Sequence, residues 1–120
     1  MSKPKTETEN RPWGMFETFA KNTPCTVKII TVNAGESTSL QRHKERDEFW
    51  YVISGEGKVV VGDDEINAEP KMTFFVPKNT KHRIEGGVVS FQLLEVSFGE
   101  FDEKDIERIE DKYGRAVNQT

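Results

Sequence analysis

Gln41 and His43 stand two positions apart, Glu48 follows after four intervening residues, and His82 comes after the turn-like Val76-Pro77-Lys78-Asn79. Two imidazoles, a carboxylate and an amide oxygen make a donor set that suits a borderline divalent ion. In an extended strand Gln41 and His43 point to one face, and Glu48, opening the next strand, can fold back against them. Zinc, in an open site with room for water or substrate, is the first expectation. Manganese, iron, cobalt and nickel accept the same ligand types. Glu45 shares parity with Gln41 and His43; it is either a fifth donor or base, or one more solvated charge of a KERDE run.

With both histidines of the chain spent as ligands, a proton carrier must be a carboxylate, a lysine or a group on the metal itself. Glu95 interrupts the apolar stretch Phe91–Phe98, where a charge is costly unless it is paired or hydrogen-bonded. Lys28 interrupts Thr26–Asn33 in the same way, in parity with Ile30 and Val32. These two residues either pair with each other or face a cavity and touch substrate. Arg46 and Arg83 flank the ligand segments and could hold a phosphate bidentately, or end in surface ion pairs. Glu95, Arg46, Lys28 and Glu45 are thus the candidate catalytic residues. Arg83, Lys81 and Arg115 are the candidate substrate contacts.

These side chains need a scaffold of strands. Thr26–Asn33, Asp47–Ser54, Lys58–Val61, Met72–Val76 and Val88–Phe98 are rich in β-branched and aromatic residues, with turn signals between them. Many short strands without intervening helices predict an antiparallel barrel or sandwich. The one predicted helix comes last, capped by Asp102, with Ile106, Ile109 and Tyr113 on one stripe and Gly114 as its stop. Residues 1–10 are expected to be a disordered tail, residues 11–115 one domain, and residues 116–120 a second tail. Trp13, Trp50, Phe74 and Phe75 are read as core or dimer contacts, and Cys25 as a small buried hydrophobe.

A chain of 120 residues has room for one domain. No apolar run approaches the roughly 20 residues of a membrane helix, and the start lacks a secretory signal; the expected compartment is the cytoplasm. A net charge of -4 argues against binding nucleic acid through its phosphate backbone. One cysteine excludes an intrachain disulfide.

The spacing Gly35-x5-Gln41-x-His43-x4-Glu48-x6-Gly55, with Pro77-x-Asn79-x2-His82 after it, resembles the cupin signature, with glutamine at the first histidine and asparagine at a glycine. The chain further resembles the isomerase module of type II phosphomannose isomerases. Arg11-Pro12-Trp13-Gly14, Ser39-Leu40-Gln41-Arg42-His43, Arg46 and Glu48, Val76-Pro77 and His82-Arg83, Glu95-Val96, and Asp105-Ile106 through Tyr113-Gly114-Arg115 match its motifs in order. Further histidines that the family often carries in the first motif are here Lys44, Glu45 and Phe49.

The resemblance implies an all-β cupin, a double-stranded β-helix or jelly-roll-like barrel, here with the C-terminal α-helix outside. It also implies a metal-dependent aldose–ketose isomerase for mannose 6-phosphate and fructose 6-phosphate, in the synthesis of activated mannose and polysaccharide precursors. The expected partners are a small sugar phosphate and a second copy in a homodimer. With ten residues before the first motif, the nucleotidyltransferase activity of many relatives is not expected in this chain. The alternative is a non-catalytic sugar- or nucleotide-sugar-binding cupin acting as a regulatory or scaffold module.

Overall fold

The computed structural model describes residues 6–111, 113 and 114. Eleven strands follow one another: β1 (Glu7–Arg11), β2 (Gly14–Thr18), β3 (Cys25–Val32), β4 (Leu40–Arg42), β5 (Arg46–Ser54), β6 (Gly57–Val61), β7 (Asp64–Ala68), β8 (Thr73–Val76), β9 (His82–Gly86), β10 (Phe91–Gly99) and β11 (Glu107–Glu110). β1 and β2 form a hairpin. The others form a four-stranded sheet, β3-β10-β5-β8, and a five-stranded sheet, β11-β4-β9-β6-β7, with every pairing antiparallel.

Side-chain alternation sorts the residues between faces. From the four-stranded sheet Trp50, Val52, Phe91 and Leu93 turn inward and meet Val59, Ala68 and Ile84 of the other sheet. Each fully buried Val, Leu, Ile or Phe among them contributes about 1.5–3 kcal/mol. On the outer face of β5 and β10, Phe49, Val96 and Phe98 are also buried, with Phe19 packed over them. β5 is thereby covered on both faces, which explains its unbroken apolar run from Phe49 to Val52. At Gly55, φ is +79° and an added Cβ would stand 2.0 Å from the carbonyl oxygen of Ser90, so the second glycine of the signature has no substitute.

Three expectations are corrected. Glu7–Asn10, placed in the N-terminal tail, pair with Met15–Thr18 as strand. Cys25 is exposed rather than buried, at the start of β3, which is an edge strand. The C-terminal helix is replaced by a turn and β11, and the described residues contain no helix. The Asp102 carboxylate accepts from the N–H of Lys104, and the N–H of Asp105 donates to the Asp102 carbonyl, so the capping signal closes a turn. Beyond it the relevant period is two: Ile106 and Arg108 border the interior while Glu107 pairs outward with Arg42. Ile109 and Tyr113, meant for a buried stripe, are exposed.

Candidate metal centre

β4 and β9 bring Gln41 opposite His82, and β5 and β10 bring Glu48 opposite Ser97 and Trp50 opposite Glu95. Residues directly opposite on antiparallel strands share a face. His43, Glu48 and His82, all buried, converge between the sheets, and one ligand atom from each lies within 4.8 Å of the others. The two imidazole centroids are 5.0 Å apart.

Both imidazoles are fixed from behind. His43 Nδ1 donates to the carbonyl of Asp105 at 2.6 Å, and His82 Nδ1 to the carbonyl of Thr80 at 2.9 Å. A carbonyl only accepts, so each Nδ1 carries the hydrogen and each Nε2 turns a lone pair toward Glu48. The His43 and His82 Nε2 atoms stand 3.4 and 3.8 Å from the Glu48 oxygens. Glu48 also accepts from Trp50 Nε1 at 3.0 Å and from Arg46 Nε at 3.1 Å. Burial pushes the pKa of both imidazoles down to about 4, and for His43 the neighbouring His82 and Arg46 add to the effect.

These features fit a divalent ion. His82 Nε2 is buried without a hydrogen-bond partner, a costly state for a lone pair unless a cation uses it. The imidazoles are neutral at pH 7, as ligation requires. Gln41 is half-buried beside them, its Oε1 accepting from Ser39 Oγ. Arg46 is the competing cation: its Nη2 lies 3.2 Å from His43 Nε2, so an ion using that lone pair must displace it.

Above the cluster lies a cavity of about 390 Å³, bordered by Lys28, Ser39, Gln41, His43, Arg46 and Arg108 among others. Lys28 and Glu95 pair at 3.5 Å, and Lys28 also borders the cavity, with the buried Glu95 carboxylate behind it. Burial pushes the Glu95 carboxyl up to about 7, aided by the charge of Glu48 and a hydrogen bond shared with it; Lys28 and Arg46 only partly offset this. A second cavity, bordered by Lys58, Asn67 and Glu85, lies apart from these residues.

Other candidates stand elsewhere. Glu45 is exposed, because the strand breaks between Arg42 and Arg46 and its parity is lost. Arg83, next to inward-facing His82, faces outward to the Thr38 and Glu110 carbonyls and the Glu110 carboxylate. Lys81 pairs with Asp63 at the surface. Arg115 lies outside the described residues. Two residues with no site role in the sequence reading belong here. Asp105, besides holding His43, accepts from the N–H groups of Lys44 and Glu45; burial raises its pKa, but these donors outweigh that and hold it below its usual value. Arg108 borders the cavity from β11. The period-two run from Ile106 was the available signal.

The profile of the family described as "Mannose-6-phosphate isomerase C-terminal" matches residues 2–111. The chain is 37% identical over 107 residues to the Xanthan biosynthesis protein XanB of Xanthomonas campestris pv. campestris (strain B100), covering 88% of this chain and 23% of that protein. It is 36% identical over 108 residues to a mannose-1-phosphate guanylyltransferase of Escherichia coli (strain K12), covering 88% and 22%. The chain thus spans less than a quarter of these relatives. A cupin-2 domain from Rhodospirillum rubrum, Rru_A2000, shares the fold at TM-score 0.62 and 16% identity, with 83% of this chain and 72% of that one covered. No helix among the described residues is long and apolar enough to cross a membrane.

Proposed function

This chain belongs to the mannose-6-phosphate isomerase C-terminal family, and we propose that it is a metal-dependent aldose–ketose isomerase acting on mannose 6-phosphate and fructose 6-phosphate. The observation that carries this reading is the unpartnered, buried Nε2 of His82, facing Glu48 and His43 beneath a cavity with polar walls. A role in supplying activated mannose for polysaccharide synthesis accords with the name of the xanthan relative.

Isomerisation transfers the C2 proton of the aldose to C1 and the O2 proton to O1, through an enediol(ate). A divalent ion, zinc by ligand type, held by His43, Glu48, His82 and Gln41 supplies Lewis-acid stabilisation of negative charge on the sugar oxygens, an effect of several kcal/mol. Glu95, with its pKa near 7, takes the C2 proton as a carboxylate and returns it to C1 as an acid. Lys28 holds the ionised form of Glu95. Ser37 and Thr38 are among the cavity residues that offer hydroxyls to the sugar.

Elemental analysis beside a coupled mannose 6-phosphate assay tests this reading. The expected result is stoichiometric metal and turnover, with both lost in His82→Ala. Metal-loaded protein without turnover overturns it. One observation favours a second reading, the non-catalytic sugar-binding module: Arg46 already satisfies both His43 and Glu48 without an ion. Purified protein that binds sugar phosphate yet takes up no metal supports that module.

A further inference from the structure

Arg108, Gln41 and His82 occupy one cross-strand row. Arg108 of β11 pairs with Gln41 of β4, and Gln41 pairs with His82 of β9. Directly opposed residues share a face, so Arg108 shares that of buried His82, and it borders the cavity. A register shift follows between Arg108 and Glu110, an irregularity of the kind that re-aims a side chain.

The other basic residues near the cavity mouth are engaged. Lys28 is paired with Glu95, Arg46 with Glu48, Arg42 with Glu107 and Arg83 with Glu110. Among the described residues the guanidinium of Arg108 has neither an ion-pair nor a hydrogen-bond partner, although it is half-buried. Two carboxylates, Glu36 and Glu103, also border the cavity, and Glu36 is engaged by the Tyr113 hydroxyl. A guanidinium at the cavity wall with no protein partner is free to meet an anion, and its planar fork matches phosphate oxygens.

We propose that Arg108 is the phosphate anchor of the cavity and sets its preference for phosphorylated over free sugars. This rests on the isomerase reading for the identity of the sugar. Two strand spacings, roughly 10 Å, separate the backbones of Arg108 and His82. A hexose 6-phosphate carries its phosphate at the opposite end of the carbon chain from C1 and C2. With those carbons at the His43–Glu48–His82 cluster, the phosphate falls toward Arg108.

Calorimetric titration of zinc-loaded protein with mannose 6-phosphate, glucose 6-phosphate, inorganic phosphate and mannose tests the anchor in wild type, Arg108→Gln and Arg108→Lys. Melting curves and zinc content check that each variant folds and keeps the ion site. The expected result in Arg108→Gln is about tenfold to hundredfold weaker binding of the phosphorylated ligands. Mannose binding and zinc content stay unchanged, and Arg108→Lys recovers part of the loss. Equal affinity of wild type and Arg108→Gln for the phosphorylated ligands overturns the anchor, as does a wild type that binds none of them. Arg108-dependent phosphate binding without isomerase turnover overturns the isomerase reading instead and leaves the anchor standing.

Discussion

The backbone N–H of Asn79 donates to the carbonyl of His43 at 2.7 Å, so the turn before His82 is tied directly to the other histidine of the cluster. Asn79 has φ +62°, the left-handed conformation that glycine and asparagine adopt most readily. The sequence pattern has glycine there, and the substitution keeps the geometry.

Asn79→Gly is therefore expected to leave stability and metal content near wild type, whereas Asn79→Val costs about 1–2 kcal/mol in backbone strain. Because the strained turn holds both histidine segments, zinc affinity falls with stability in the valine variant. Urea melts with zinc titration check this. A valine variant as stable as wild type would falsify the dependence on a left-handed residue.

The metal-free protein carries two opposed pH dependences. His43 and His82 titrate at about 4 when folded, against 6.5 unfolded. Between those values the unfolded chain binds more protons, so their contribution to stability falls as pH drops from 6.5 toward 4. Glu95 titrates at about 7 when folded, against 4.5 unfolded, so its contribution falls as pH rises through that interval. With each pKa unit worth ~1.4 kcal/mol, two imidazoles outweigh one carboxyl, and net stability falls by a few kcal/mol on acidification. Glu95→Gln removes the opposing slope, so its acid loss is steeper than wild type. Denaturant melts of both proteins from pH 4.5 to 6.5 measure this; identical slopes contradict the Glu95 assignment.

Much of this arrangement was legible in the residues. The donor set lies in short segments with fixed spacing, and strand parity alone puts Gln41 on the inner face. Glu45 was misplaced because parity holds only within one strand, and the chain turns between Arg42 and Arg46. Arg83 sits next to His82 in sequence and so faces away from it. Asp105 reaches the cluster, and Arg108 the cavity, only because the C-terminal segment lies along β4. Such pairing between distant segments is decided by the unpaired edge of a three-residue strand, which local helix signals at Asp102 and Gly114 do not register.

The assembly expected from the sequence is a homodimer. In the β1–β2 hairpin every residue but Thr18 is exposed, Trp13 at the turn is 73% exposed, and Met15 and Phe16 are exposed beside it. A two-stranded hairpin is marginal on its own in water. Val27 and Ile29 on β3, an edge strand, are exposed as well. We propose a second copy of the chain as the cover for both patches. Light scattering is expected to give twice 13.7 kDa, and Trp13→Glu with Phe16→Glu to give the single-chain mass. A monomeric wild type would remove this reading.

Arg46 links stability to metal loading. It is buried, donates to Glu48, lies against His43 Nε2 and stacks 4.4 Å over the Phe101 ring. Replacing it by methionine keeps most of the volume but leaves the buried Glu48 without its ion-pair partner, a change that typically costs about 3–5 kcal/mol. The same change frees His43 Nε2. Zinc then enters without displacing a guanidinium and restores the missing positive charge. Saturation at 100 times the dissociation constant returns about 2.7 kcal/mol. The expected outcome is a lower melting temperature for metal-free Arg46→Met and a larger zinc-induced rise than wild type shows. Melting curves with and without zinc measure both. A rise no larger than that of wild type means that Arg46 and the ion do not share His43 and Glu48.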